Sequence, residues 1–212
     1  MSSQSQKTTP LANLFVVSAP SGAGKTSLLK QLINELAGVQ TSISHTTRAK
    51  RDSEIDGIDY HFTDISEFEK LLKSEAFYEH AEVFGNYYGT SKASIAEQLR
   101  KGIDVILEID WQGARQIREQ LPQSHSIFIL PPSKQELENR LKGRGQDDET
   151  VILGRMSAAI SEMSHYNEYD YLVVNDDFSQ AVAEIKAIIC SERQKLPIQQ
   201  QKHAQLLCNL LE

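Results

Sequence analysis

FVVSAPSGAGKT, residues 15–26, is an apolar run that breaks into small residues and closes on a lysine and a threonine. Residues 19–26 follow the spacing GxxxxGK[ST], with Gly24, Lys25 and Thr26 in register and Ala19 standing where the first glycine belongs. On the amino side, residues 14–19 (LFVVSA) read as a short buried strand. On the carboxyl side Leu28, Leu29, Leu32, Ile33 and Leu36 recur at the spacing of one helical face. The loop is therefore predicted to join a strand to a helix. Gly22 and Gly24 let the backbone curl until successive N–H groups, backed by the positive end of the helix, converge on an anion. Ala19, Pro20, Ser21, Gly22, Ala23, Gly24, Lys25 and Thr26 are thus the candidate cradle for the phosphates of a nucleotide. In it Lys25 neutralises the outer phosphates and Thr26 offers a hydroxyl to a magnesium ion. The alternative is a glycine-rich turn with a solvated lysine.

The rest of the chain limits what that loop can serve. Its 212 residues suit one compact domain with insertions better than two independent ones. A net charge of −7 argues against a broad nucleic-acid surface, so no polymeric nucleic acid is expected as a partner and phosphate recognition must be local. No apolar run approaches membrane-spanning length. The opening MSSQSQKTTPLA is polar and lacks the apolar centre of a secretory signal, so residues 1–12 are expected to form a loose tail on a cytoplasmic protein. Cys190 and Cys208 are too few for a disulfide framework, and the six histidines show no ligand spacing.

Residues 38–90 differ in texture, rich in Ser, Thr, Tyr and charge, and read as an insertion carrying short strands around a helix-like SEFEKLLKSEAF. Helical spacing returns in SKASIAEQLRKG; VILEID is an apolar strand ending in an acid, and SIFIL (126–130) is another buried strand. Residues 133–165 read as two helices flanking the polar, glycine-marked KGRGQDDET, and YLVV (171–174) supplies one more strand. From Phe178 the chain is helical, and Pro197 begins a polar, Gln-rich tail. Alternating strands and helices predict an α/β fold, a parallel sheet covered by helices on both faces. Its core comprises residues 13–37, 91–132 and 166–212.

Several side chains carry suitable chemistry. Arg48 and Arg51, beside the hydroxyls of Ser44, Thr46 and Thr47, can hold a second phosphate group in forked guanidinium bonds. Tyr60, Glu79, Tyr87, Tyr88 and Thr90 lie in the same insertion and supply groups able to read a base edge and grip a phosphate. Asp110 ends a strand, where an acid commonly orients reactants. Arg140 and Arg144 are spaced i, i+4, and Arg155 follows in the next helix.

The runs SHTTRAKR, GNYYGT and VILEIDWQGA, ordered behind the glycine loop, resemble the guanylate kinases, bacterial members above all, from about Leu14 through VNDD near residue 177. The resemblance implies Mg-dependent phosphoryl transfer from ATP to GMP, and to dGMP. Residues 38–90 would then be a GMP-binding insertion and residues 133–165 a mobile lid. Ser44, Glu79, Thr90 and Asp110 would surround the guanine, and Arg48, Arg51, Tyr60 and Tyr88 would bind the GMP phosphate. Arg140, Arg144 and Arg155 would arrive with the lid, joining Lys25, Arg48 and Asp110 in catalysis, while Asn175 would contact the adenine side. Glu108 stands where many members carry Asp. The chemistry of Glu79 points the same way, because a carboxylate accepts from guanine's N1–H and amino group and adenine offers no such pair of donors. The sequence leaves room for a homo-oligomer without fixing the assembly. The rival readings are a binding domain that docks a phosphorylated or acidic peptide without turnover, and a kinase for another nucleoside monophosphate.

Overall fold

The computed structural model describes residues 12–52, 54–83, 85–143 and 149–212. The expected tail lies outside them except for Ala12, which is buried, not loose. Strand β1 (Leu14–Ser18) is buried along its whole length, and α1 (Lys25–Glu35) turns Leu28, Leu29 and Leu32 inward. Next come β2 (Val39–Thr41), β3 (His45–Thr46) and β4 (His61–Phe62). Helix α2 (Ile65–Lys73) starts where Asp64 accepts the Glu67 N–H, and β5 (Phe77–Val83) and β6 (Asn86–Ser91) pair antiparallel behind it. Then follow α3 (Lys92–Arg100), β7 (Asp104–Glu108) and α4 (Trp111–Gln120), the two helices capped by Ser91 and Asp110. Strand β8 (His125–Leu130) leads to α5 (Lys134–Lys142) and α6 (Glu149–Met163). A short 3-10 turn at Tyr166–Glu168 precedes β9 (Tyr171–Val174), and α7 (Phe178–Arg193), α8 (Leu196–Lys202) and α9 (Ala204–Leu211) close the chain.

Five strands form a parallel sheet in the order β2-β7-β1-β8-β9. Side chains alternate across it, so each face acquires its own core. Phe15 and Val17 meet Leu28, Leu29 and Leu32 of α1 and Ala181 and Ile185 of α7; Leu14 and Val16 meet Ile95 of α3 and Ala114 and Ile117 of α4. Full burial of such side chains contributes about 1.5–3 kcal/mol each. Because β1 lies between β7 and β8, the connections leave it in opposite directions and a crevice opens at the carboxyl ends of the strands.

The other four strands make a second sheet, β4-β3-β6-β5. Strand β2, though inside residues 38–90, pairs with β7, so the first sheet extends into the stretch expected to be wholly inserted. The C-terminal segment also differs from expectation. Where a polar tail was predicted after Pro197, α9 exposes Leu206, Leu207, Leu210 and Leu211, the last two at 69% and 86%.

Candidate active site

The glycine loop lies at the carboxyl end of β1. Gly22 and Gly24 have φ of +92° and +94°, a region other residues rarely adopt. A Cβ on Gly24 would stand 2.5 Å from Asn175 Nδ2, so the loop also needs glycine there for space. The Asn175 amide donates to Ala23 O at 2.7 Å, bracing the loop from beneath. Ala23 is buried, while Ala19, Pro20, Ser21, Gly22, Gly24, Lys25 and Thr26 line a pocket of about 300 Å³. A larger, mostly apolar cavity of about 670 Å³ opens at the opposite ends of the strands, beside Leu14 and His125, and has no such cradle of N–H groups.

Opposite the loop, the end of β7 is acidic. Thr26 Oγ1 donates to Glu108 Oε1 at 2.5 Å, and Lys25 Nζ donates to Ile109 O at 3.3 Å. Burial lowers the pKa of the Lys25 ammonium, against the pull of Glu108, Asp110 and Glu162. Asp110 caps α4 through Gly113 N at 2.9 Å. Glu162, on α6, completes the pocket wall and accepts the Ser21 N–H at 3.2 Å. Its place in the pocket wall was not among the expected site positions. The signal was there: it follows Arg155 by two helical turns and so shares its face.

The second sheet brings a different set together. Glu79 is 5% exposed, and Thr90 Oγ1 donates to its Oε1 at 2.5 Å. Burial, with Asp110 adding, pushes the Glu79 carboxyl up to about 7, although the Thr90 bond opposes the rise. Arg48 pairs with Glu54 at 2.6 Å and lies 5.5 Å from the centre of the Tyr60 ring, which meets Tyr88 edge-on at 6.0 Å. Bonds to Glu54 and to Tyr88 raise the Arg48 pKa. Burial raises the Tyr60 hydroxyl, and Tyr88 and Glu108 add to it, so the arginine–tyrosine cluster is within electrostatic reach of the acidic strand end. The Arg51 side chain is exposed and its backbone N–H donates to Glu54 Oε2. Ser44 is partly buried, and its carbonyl accepts from His61 N. Glu54, the partner of both arginines, sits in an irregular loop where no periodicity could mark it.

Of the arginines expected in a lid, Arg140 donates to Glu136 at 2.8 Å and to Asn175 O at 3.1 Å, which ties it to the base of the glycine loop. Arg155 is partly buried on α6, and Arg144 lies outside the described residues. Leu137 and Leu141 of α5 pack with Ala159 of α6 and come up against Gly22.

A glycine loop with lysine and threonine at the head of a helix, set at the switch point of a parallel sheet, defines the class of P-loop nucleotide-binding α/β proteins. The guanylate kinase family model matches residues 11–192. Over 200 residues, 93% of this chain and 97% of theirs, the chain is 57% identical to a guanylate kinase of Salmonella typhimurium (strain LT2) and 55% identical to one of Escherichia coli (strain K12). The crystal structure of guanylate kinase from Anaplasma phagocytophilum, 35% identical, is similar at a TM-score of 0.71 over 89% of this chain and 90% of that one. The chain belongs to the guanylate kinase family and is an ATP:GMP phosphotransferase, giving ADP and GDP. Among the described residues, no helix is long and apolar enough to cross a membrane.

Proposed function

We propose that ATP occupies the glycine-loop pocket, that residues 38–90 carry GMP, and that residues 133–165 close over both as a lid. The observation that carries this reading is Glu79, a buried carboxylate held by Thr90 beside Asp110, within the second sheet and not at the phosphate loop. It accepts from the N1–H and amino group of guanine, with Ser44, Thr90 and Asp110 completing the base site. Arg48, Arg51, Tyr60 and Tyr88 take the GMP phosphate, Arg48 exchanging Glu54 for the phosphate oxygens. Lys25, Arg140, Arg144 and Arg155 stabilise charge on the transferring group, and Asn175 serves the adenine side. The acceptor oxygen belongs to a phosphate whose second pKa is about 6, so it is largely ionised at neutral pH and needs no protein base. Positioning, charge neutralisation and exclusion of water are what the chain contributes.

Magnesium fits the residues present. Among the described residues no cluster of three or more His, Cys, Asp or Glu could hold a metal unaided. The Thr26 hydroxyl and the neighbouring Glu108 carboxylate are all-oxygen donors, suited to an ion held mainly by nucleotide phosphates and water. Thr26 would hold it, and charge on the β- and γ-phosphates would be neutralised by the bound ion. The proposed location is the cytoplasm, in keeping with two free cysteines. The exposed leucines of α9 support a homo-oligomer, which sedimentation of the full chain and of Leu210→Glu would test.

The reading is tested by ADP release with ATP, magnesium and a panel of GMP, dGMP, AMP, CMP, UMP and dTMP. GMP and dGMP should turn over, with AMP at least about a hundredfold less efficient, and chelation should abolish the signal. Comparable turnover of AMP would overturn the assignment of the base site.

A further inference from the structure

Gly113 lies in the first turn of α4, and its N–H donates to Asp110 Oδ1 at 2.9 Å. A Cβ built on it would stand 3.0 Å from Glu79 Oε2, 3.4 Å from Glu79 Cδ and 3.3 Å from Ile109 Cδ1. One glycine therefore touches both carboxylates of the base site, the first through its backbone and the second through the side chain it lacks.

Little around it can yield. Helix α4 is stitched to β5 on either side of Glu79. Gln116 exchanges two bonds of 3.4 Å with the backbone of His80, and Gln120 Nε2 donates to the carbonyl of Tyr78. The helix cannot retreat from the strand without breaking them. The other carboxylate oxygen, Oε1, is held at 2.5 Å by Thr90. A methyl group at 113 would be accommodated by displacing the carboxylate, which then loses either Thr90 or its alignment with a bound base. The backbone itself does not require glycine, since Gly113 is helical and is not among the residues of positive φ. On helix propensity alone, alanine would strengthen α4.

We infer that Gly113 is a positioning residue for base selection. The absence of a side chain there sets where the Glu79 carboxylate stands, and with it the preference for a purine carrying a 6-oxo and a 2-amino group. The inference rests on the assignment of Glu79 to guanine proposed above.

The test compares Gly113→Ala, Glu79→Ala and the double variant in the full chain, by thermal melting and by kcat and KM for GMP, ATP and AMP. Gly113→Ala should melt at or above the parent temperature, keep the ATP KM within about twofold and raise the GMP KM about tenfold. Its selectivity for GMP over AMP should fall as the GMP KM rises. In the Glu79→Ala background, where the methyl has room, the same substitution should change the GMP KM by less than about twofold. An unchanged GMP KM in Gly113→Ala, beside a raised one in Glu79→Ala, overturns this inference alone. So do an equal loss in both backgrounds and a Gly113→Ala protein that fails to fold, since the methyl would then strike the frame and not the carboxylate. Parental selectivity in Glu79→Ala removes the guanine assignment and this inference with it.

Discussion

Glu79 owes its behaviour to burial, which pushes its carboxyl up to about 7 with Asp110 adding to the rise. In the proposed base site a protonated Glu79 would present an O–H to the N–H donors of guanine, so binding should need the ionised form. The GMP KM is therefore predicted to rise as the pH drops below about 7, by up to about tenfold per unit. Glu79→Gln should lose that limb. The titration of the GMP phosphate, with its second pKa of about 6, persists in both enzymes. A Gln variant with the parental profile would clear Glu79 of the role. Stability moves in the same window. A carboxyl raised in the folded state favours folding fully below its ordinary value, and that contribution is lost as pH rises through about 7. Glu79→Gln should accordingly gain in melting temperature over the parent at about pH 8 and not at about pH 4. Lys25 is proposed to act on the other substrate. Lys25→Ala should lower kcat about a hundredfold or more while leaving GMP binding nearly intact; near-normal turnover would remove the loop from the mechanism.

Helix α6 is held at one end and meets the phosphate pocket along its last turns. The His165 ring just beyond it stacks on Trp111 at 3.7 Å with the planes 11° apart. Glu168 accepts from Arg115, Arg118 and His165, and the Arg115 bond foremost holds its carboxyl near about 2. Within that anchored frame, Glu162 binds the Ser21 N–H beside Lys25, and burial raises its pKa. A triphosphate at the loop, as proposed, would carry charge of the same sign as the ionised Glu162 and be repelled by it. Glu162→Gln removes the repulsion, and the ATP KM should fall about fivefold, worth about 1 kcal/mol. A rise in ATP KM would mean that the carboxylate supports the bound nucleotide instead.

Across the whole molecule, the end opposite the active site is closed by one buried acid. Asp104, 2% exposed at the start of β7, accepts from Asn13 N at 2.7 Å and pairs with Arg193 Nε at 2.7 Å. Arg193 also donates to the carbonyls of Ala37 and Gly38, so the end of α7 grips β1, β7 and the turn before β2 together. Arg193→Ala leaves Asp104 buried without its cation and should cost about 3 kcal/mol. For a chain of this size that is a fall of about 6–12 °C in Tm. A change under about 2 °C would show that Asn13 and water suffice.

Local pattern was enough for the strand, loop and helix around Lys25, because apolar spacing reports directly which face of a segment is buried. It was enough for the parallel sheet with two covered faces, while Arg48, Glu79 and Asp110 were marked as site residues by the resemblance to the guanylate kinases. Pattern does not say which distant segment supplies the cover. That is why β2 had to be found in the first sheet, why Glu54 as partner of Arg48 and Glu162 at the loop went unseen, and why Asp104 and Arg193, 89 positions apart, carried no mutual signal. Charge strength is equally a property of the assembled fold. Burial shifts Glu79 upward, the Asp110 charge adds and the Thr90 bond opposes, and those groups meet only once β5, β6 and α4 have packed.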